Sequence, residues 1–198
     1  MDIVFASHSA GKIKELSAIL APYQLNVIPQ ENLNVEDIEE TGLSFVENAI
    51  LKARNAALTT NLPAIADDSG LEIDALNGEP GIYSARYSGQ GSQANIKKAL
   101  AELKNVPEEK RIARFQCVMV FMRSAKDPTP LIAQGSFEGR ILTEQKGEGG
   151  FGYDPIFYVP EHDCAAAELA PEQKNKISHR AKALQSMVKQ LQAVGFVG

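Results

Sequence analysis

The chain has 198 residues, 44% of them hydrophobic and 23% charged, which suits a soluble α/β protein with a real core, built as one unit or as two lobes. Its net charge of -5 excludes the basic excess with which proteins grip long nucleic acid, yet a few lysines and a divalent cation can still serve a small anion. No apolar stretch approaches the ~20 residues of a membrane span and the N-terminus shows no signal-peptide pattern, so cytoplasmic residence is the expectation.

The run Asp2-Ile3-Val4-Phe5-Ala6 reads as a buried strand. Ser7-His8-Ser9-Ala10-Gly11-Lys12 turns into a helix with Ile13, Leu16, Ile19 and Leu20 on its apolar face, closed by Pro22. Leu25 to Ile28 is a second strand. Residues 30–41 are acidic and weakly structured, and a helix over roughly 43–59 follows, with Phe45, Ala49, Ala53 and Ala56 on one side. Ala64-Ile65-Ala66 reads as a short strand that ends at Asp67-Asp68-Ser69-Gly70, with Leu71 to Leu76 pairing nearby. Asn77 to Gly81 is a loop of turn residues, Ser92 to Leu103 a helix, and Pro107 to Lys110 a charged link. Arg114 to Met122 and Leu131 to Phe137 read as a strand pair around Asp127-Pro128-Thr129-Pro130. Cys117 lies in the first of these, as a buried inert thiol, and with Cys164 it matches no zinc spacing. Gly147 to Gly152 is a glycine-rich loop. One helix from about Pro171 to Val194 ends the chain, with Pro171 at its first position and Ala183, Leu184, Met187, Val188 and Leu191 facing the core.

Five places have residues suited to chemistry. Ser7 to Lys12 joins small residues, a helix start and a lysine, which together favour an anion; the P-loop pattern is absent, and an ordinary capping turn reads the same way. Asp67 and Asp68 repel each other at the end of an apolar strand, a cost that bound Mg²⁺ offsets. Adjacent residues of an extended segment point to opposite sides, so one of the pair is expected to face the ligand. The alternative is an exposed acidic turn. Asn48 and Lys52 share a helix face, with Glu40 just ahead of them as a second acidic group. Gly149 to Pro155 offers Phe151 for stacking on a nucleobase. Lys174, Ser178 and Lys182 align at helical spacing, with His179 and Arg180 on neighbouring faces, as donors for a base edge. The three histidines, His8, His162 and His179, form no ligand spacing and no nucleophile triad stands out, so water attack assisted by carboxylate and metal is the better-supported chemistry.

Taken in order, these segments resemble the inosine triphosphate pyrophosphatase family, the bacterial dITP/XTP pyrophosphatases in particular. The resemblance covers nearly the whole chain. It rests on Ser7-x-x-x-Gly11-Lys12-x-x-x-Leu16, Glu40-Thr41-Gly42-x-x-Phe45-x-x-Asn48-Ala49, Lys52-Ala53, and Ala66-Asp67-Asp68-Ser69-Gly70-Leu71. Pro80-Gly81-Ile82-Tyr83-Ser84-Ala85-Arg86-Tyr87, Gly149-Gly150-Phe151-Gly152-Tyr153-Asp154-Pro155 and Ile177-Ser178-His179-Arg180 complete it.

The resemblance implies an α/β fold: an elongated central mixed sheet flanked by helices, with two lobes and an active-site cleft between them, in one domain over residues 1–198. It implies hydrolysis of ITP, dITP and XTP to the monophosphate and pyrophosphate, by a homodimer that acts on neither nucleic acid nor membrane. Asp68 then resembles the general base and a Mg²⁺ ligand, and Glu40 the second ligand. Lys12 and Lys52 resemble phosphate contacts, Ser69 a further substrate contact, and Ser7, His8, Ser9, Ala10 and Gly11 the rest of the substrate-binding turn. Phe151, Gly152, Tyr153 and Asp154 resemble the nucleoside pocket, and Lys174, His179 and Arg180 the readers of the base edge. The chain departs from the family at Ser9, where Asn is common, and at His8, where glycine is. Weaker nucleotide binding, or a water bridging from Ser9, is the expectation there. Two other readings are a Maf-like pyrophosphatase for other modified bases and a nucleotide sensor without turnover.

Overall fold

In the computed structural model, residues 1–197 are described. Seven strands form one mixed sheet: β1 (Asp2–Ala6), β2 (Asn26–Pro29), β3 (Ala64–Ile73), β4 (Ile112–Met122), β5 (Leu131–Ile141), β6 (Phe157–Val159) and β7 (Cys164–Ala165). Their order is β2-β1-β3-β4-β5-β6-β7. β1 pairs parallel with β2 and β3, in the registers Val4 with Ile28 and Phe5 with Ile65. β6 pairs antiparallel with β5 and β7. The helices are α1 (Ala10–Leu20), α2 (Phe45–Thr60), α3 (Ser92–Glu102), α4 (Pro171–Ile177) and α5 (His179–Ala193).

Contacts divide the chain into two compact units. The first comprises Met1–Asp68, Cys117–Gly135 and Ala183–Gly198, and the second Ser69–Gln116 and Ser136–Lys182.

In the first unit the sheet is buried on both faces, which explains the unbroken apolar run of β1. Alternate residues feed different clusters. Ile3, Phe5, Ile65, Cys117, Met119 and Phe121 pack with Leu16 and Leu20 of α1 and with Leu184, Met187 and Leu191 of α5. Val4, Ala6, Ala64, Ala66, Val118 and Val120 pack instead with Ala49, Ala53, Ala56 and Ala57 of α2. Helices α1 and α2 therefore cover opposite faces. The core of the second unit joins Leu71, Ile73, Phe115, Phe137, Ile141 and Phe157 from the strands to Ile96 and Ala99 of α3.

Two expectations need correction. β3 does not stop at Ala66 but runs through Asp67, Asp68, Ser69 and Gly70 to Ile73. Both carboxylates are buried, Asp67 2% and Asp68 8% exposed, so they do not form an exposed acidic turn. The terminal helix is also not continuous. At Ser178 the backbone is extended (φ -64, ψ 157), and its Oγ accepts from the Ala181 N–H at 3.2 Å, so Ser178 closes α4 and caps α5.

Candidate active site

In the first unit, the turn after β1 is set by Ser9, whose extended backbone caps α1 while its Oγ accepts from the Lys12 N–H at 3.4 Å. The Ser7 Oγ in turn accepts from the Ser9 N–H at 3.2 Å. No acidic residue occupies the first turn of α1, so the positive end of that helix keeps its attraction for anions. Lys12 reaches across to Asp67, Nζ to Oδ2 2.6 Å.

The alternation of β3 decides which lysine each aspartate meets. Asp67 lies two residues beyond Ile65, on the α1 side, and meets Lys12. Asp68 lies two beyond Ala66, on the α2 side. There its Oδ1 is 3.2 Å from Lys52 Nζ and its Oδ2 accepts from Asn48 Nδ2 at 3.3 Å. Lys52 Nζ also donates to Glu40 Oε1 at 2.7 Å, so one ammonium holds two carboxylates from different segments.

The local sequence explains how α2 presents these side chains. Ser44 caps the helix, and Glu47 reaches back to accept from the Leu43 N–H at 3.0 Å and the Ser44 hydroxyl at 2.6 Å. This reciprocal arrangement fixes the first turn. Asn48, fully buried, accepts from the Gly42 N–H at 2.9 Å while its amide N–H donates to Asp68. A Cβ at Gly42 would come 2.6 Å from Glu47 Cβ and 2.7 Å from Asn48 Oδ1, so glycine alone fits. Asn48 and Gly42 thus belong to the site as supports. The four-residue spacing of Asn48 and Lys52 signalled the first; nothing local signalled the packing of the second.

The electrostatics follow from burial and from these pairings. Burial pushes the Asp68 carboxyl up from its ordinary value; Lys52 pulls it down and Glu40 raises it. Burial lowers the Lys52 ammonium, but Asp68 and Glu40 outweigh it, and the net direction is up. Lys52 therefore stays cationic beside a carboxyl whose basicity is raised, as suits a proton acceptor.

The donor set fits a hard cation. Glu40 and Asp68 present oxygen around a common positive centre, and Mg²⁺ commonly takes one or two carboxylates while keeping waters and phosphate oxygens. No group of three or more His, Cys, Asp and Glu side chains suited to a metal occurs among the described residues.

In the second unit, the glycine loop is fastened by Asp154. Its Oδ2 accepts from the Phe151 N–H at 2.7 Å and is bonded by Lys174 Nζ. Gly150 has φ +75, and a Cβ there would lie 2.2 Å from that oxygen. The Phe151 ring is 62% exposed, with Lys174 Nζ 4.9 Å and Arg180 Cζ 5.8 Å from its centroid. Phe151, Asp154, Lys174 and Arg180 therefore come together.

Three residues sit differently. Tyr153 is buried in the core, with its hydroxyl donating to the Ser84 carbonyl at 2.8 Å; burial raises its phenol. His179 is buried and stacked on Phe115, centroids 5.1 Å apart. Lys182 does not continue a row with Lys174, because the helix breaks; its Nζ donates to the Ser136 carbonyl at 2.8 Å. Gly152 has φ +59 and supplies the turn ahead of Tyr153. Ser69 is half-buried in β3.

Residues 3–190 match the sequence model of the Ham1 family. This chain belongs to that family. Among its relatives, a protein of Thioalkalivibrio sulfidiphilus named dITP/XTP pyrophosphatase is 57% identical over 97% of this chain and 99% of its own. One of Yersinia pseudotuberculosis with the same name is 58% identical over 94% and 95%. The solved structure of a HAM1 protein from Coxiella burnetii superposes with a TM-score of 0.94 at 49% identity, covering 98% of this chain and 99% of that one. The expected family and the mixed-sheet α/β fold are both borne out.

Proposed function

We propose that this protein hydrolyses non-standard purine nucleoside triphosphates, ITP, dITP and XTP, to the monophosphate and pyrophosphate. The observation that carries the reading is the pair of lysine–carboxylate contacts on consecutive residues of β3, Lys12 with Asp67 and Lys52 with Asp68. Two cations are held ready for a polyphosphate, and one carboxylate of raised basicity stands beside them. The name shared by the relatives supplies the substrate class.

Asp68 takes a proton from a water aligned on the α-phosphorus, and the bond to the β-phosphate oxygen breaks as pyrophosphate leaves. Lys12 and Lys52 stabilise the charge that develops on the phosphates. Asn48 orients the Asp68 carboxylate, and Asp67 holds Lys12 in place. Glu40 and Asp68 would hold Mg²⁺, which when bound neutralises phosphate charge and polarises the phosphoryl group. The turn Ser7, His8, Ser9, Ala10, Gly11 and Lys12, with Ser69, contributes backbone and side-chain donors to the phosphates.

Phe151 takes the purine face, and Asp154 and Gly152 hold the loop that presents it. Lys174 and Arg180, beside the Phe151 ring, serve base choice, with the buried His179 next to Arg180 in a supporting part. Hypoxanthine and xanthine carry a 6-oxo acceptor where adenine has an amino group, and donors left unpaired against adenine discriminate strongly. The reading extends to a homodimer working in the cytoplasm on free nucleotides; the net charge of -5 supports a small substrate over nucleic acid, and no helix among the described residues is long and apolar enough to cross a membrane.

The test is pyrophosphate release with Mg²⁺ across ITP, dITP, XTP, GTP and ATP. Release from the first three well above ATP is expected. Equal turnover of ATP, or none of ITP, would overturn the reading.

A further inference from the structure

His8 stands inside the phosphate-side turn, yet its ring is held by the acidic segment that follows β2. Its Nε2 is 2.8 Å from Asp37 Oδ1, and Gln30 Nε2 is 2.8 Å from both of those atoms. On the other edge of the ring, Nδ1 lies 3.7 Å from Glu31 Oε2. Gln30 is buried, and its carbonyl accepts from the Asn34 and Val35 N–H groups, so the clasp has one rigid arm. Three residues beyond Asp37 the same segment carries Glu40, which bonds Lys52.

The triangle of three atoms responds to a proton. Asp37 Oδ1 accepts in every state. With the ring protonated, His8 Nε2–H and the Gln30 amide both donate to it, and the cation also faces Glu31. With the ring neutral and its proton on Nδ1, Nε2 is a lone pair that no longer donates to Asp37, and the two are joined only through the Gln30 amide, whose N–H groups reach both. In the other neutral tautomer the bond to Asp37 survives, but the ion pairs with Asp37 and Glu31 are gone. Either way the neutral turn has lost a positive charge.

We propose that His8 is a positioning residue: clasped by Asp37 and Gln30, it ties the turn Ser7 to Lys12 to the segment bearing Glu40, and its protonated form tightens the hold of that turn on the triphosphate. The proposal rests on the pyrophosphatase reading and adds a residue to it. The facing groups agree in sign. The hydrogen bond to Asp37 does most to raise the His8 ring above its ordinary 6.5, partial burial opposes it, and Glu31 adds to the rise. Asp37 is lowered in turn by His8, with help from Gln30 and, at longer range, Lys52. The cationic form is complete below 6.5 and is lost as pH rises through the raised value.

The test compares KM for ITP at saturating Mg²⁺ between about pH 6 and pH 9, the span over which histidine charge changes. In the parent KM should climb about two- to five-fold across this range, the size expected of an exposed ion pair, while kcat is unaffected by the clasp. His8→Gly should hold a high KM that lacks this climb. His8→Lys, cationic throughout, should restore the low value even at the alkaline end. NMR titration of the His8 ring should give a midpoint above 6.5 that falls in Asp37→Asn. If the climb persists unchanged in His8→Gly, or His8→Lys behaves as His8→Gly, the proposal is overturned while the function stands. If the parent releases no pyrophosphate from ITP at any pH, the function itself is overturned, and this proposal with it.

Discussion

Replacing Gly150 by alanine places a methyl group where Asp154 already is. The new Cβ would sit 2.2 Å from Asp154 Oδ2 and 2.9 Å from its Cβ and Cγ. Asp154 is 2% exposed and cannot withdraw without giving up the Phe151 N–H and Lys174. The alternative is for residue 150 to leave φ +75, which carries Phe151 away. The left-handed conformation alone costs alanine about 1–2 kcal/mol, and a hydrogen bond to a charged group is worth about 1.5–3 kcal/mol. The combined disturbance is therefore about 3–5 kcal/mol, centred on the loop that presents the ring. If about half of that must be recovered when substrate binds, KM for ITP rises at least about ten-fold. The kcat should stay within about two-fold, because the first unit's Asp68, Lys12 and Lys52 are untouched by a change that acts on binding. Steady-state pyrophosphate release with ITP, beside a thermal melt, reads both quantities. A KM within two-fold of the parent would refute the reasoning, since it would mean that neither the Phe151 ring nor the Asp154 clamp matters to binding.

Asp68→Asn keeps one of the two oxygens that Lys52 and Asn48 use and turns an amide group toward the other donor, so it should fold with a slightly lowered melting temperature and lose turnover for want of a proton acceptor; a melt slightly below the parent's with no pyrophosphate release is the expected pair of results. Asp127 gives a pH prediction of known sign. The Arg123 guanidinium holds its carboxyl down to about 2, from an ordinary 3.8. A depressed carboxylate contributes stability above the ordinary value and loses it as pH falls through the folded one. Arg123 is half-exposed, so solvent screening reduces the contribution to about 1 kcal/mol. Urea unfolding should show Asp127→Asn weaker than the parent at neutral pH and indistinguishable from it near pH 2; a constant difference would place the effect elsewhere.

The first strand, α2 and the core face of the last helix were legible because burial alone writes their patterns. β3 was misread for a physical reason. A strand that meets two adjacent acids ordinarily ends there, since the charges need water. Here each acid is answered by a lysine, Lys12 from 55 residues away and Lys52 from 16, and such partners leave no local trace. The break at Ser178 was hidden likewise: the apolar spacing of α5 runs on from α4, and only a backbone angle separates them. At the site, Asn48 and Lys52 could be paired by helical spacing, and Asp68 and Glu40 by resemblance. His8 was visible as a departure, but Gln30 and Asp37, which give it a purpose, were not, because nothing in a weakly structured acidic stretch marks one side chain over its neighbours.

The alternation along β3 has a consequence for how this protein can tolerate change. The two aspartates are addressed by parity: Asp67 faces α1 and Asp68 faces α2 only because the strand's side chains change sides at every step. A substitution at either position alters one partnership. A single-residue change in length between Ala64 and Asp67 would shift the acids against the β1–β3 register: a deletion puts Asp68 where Asp67 met Lys12 and Ser69 before Lys52, and an insertion puts Asp67 before Lys52 and leaves Lys12 facing Ala66 or the inserted residue. The segment before the acids should therefore accept exchanges of small apolar residues far more readily than any change in its length.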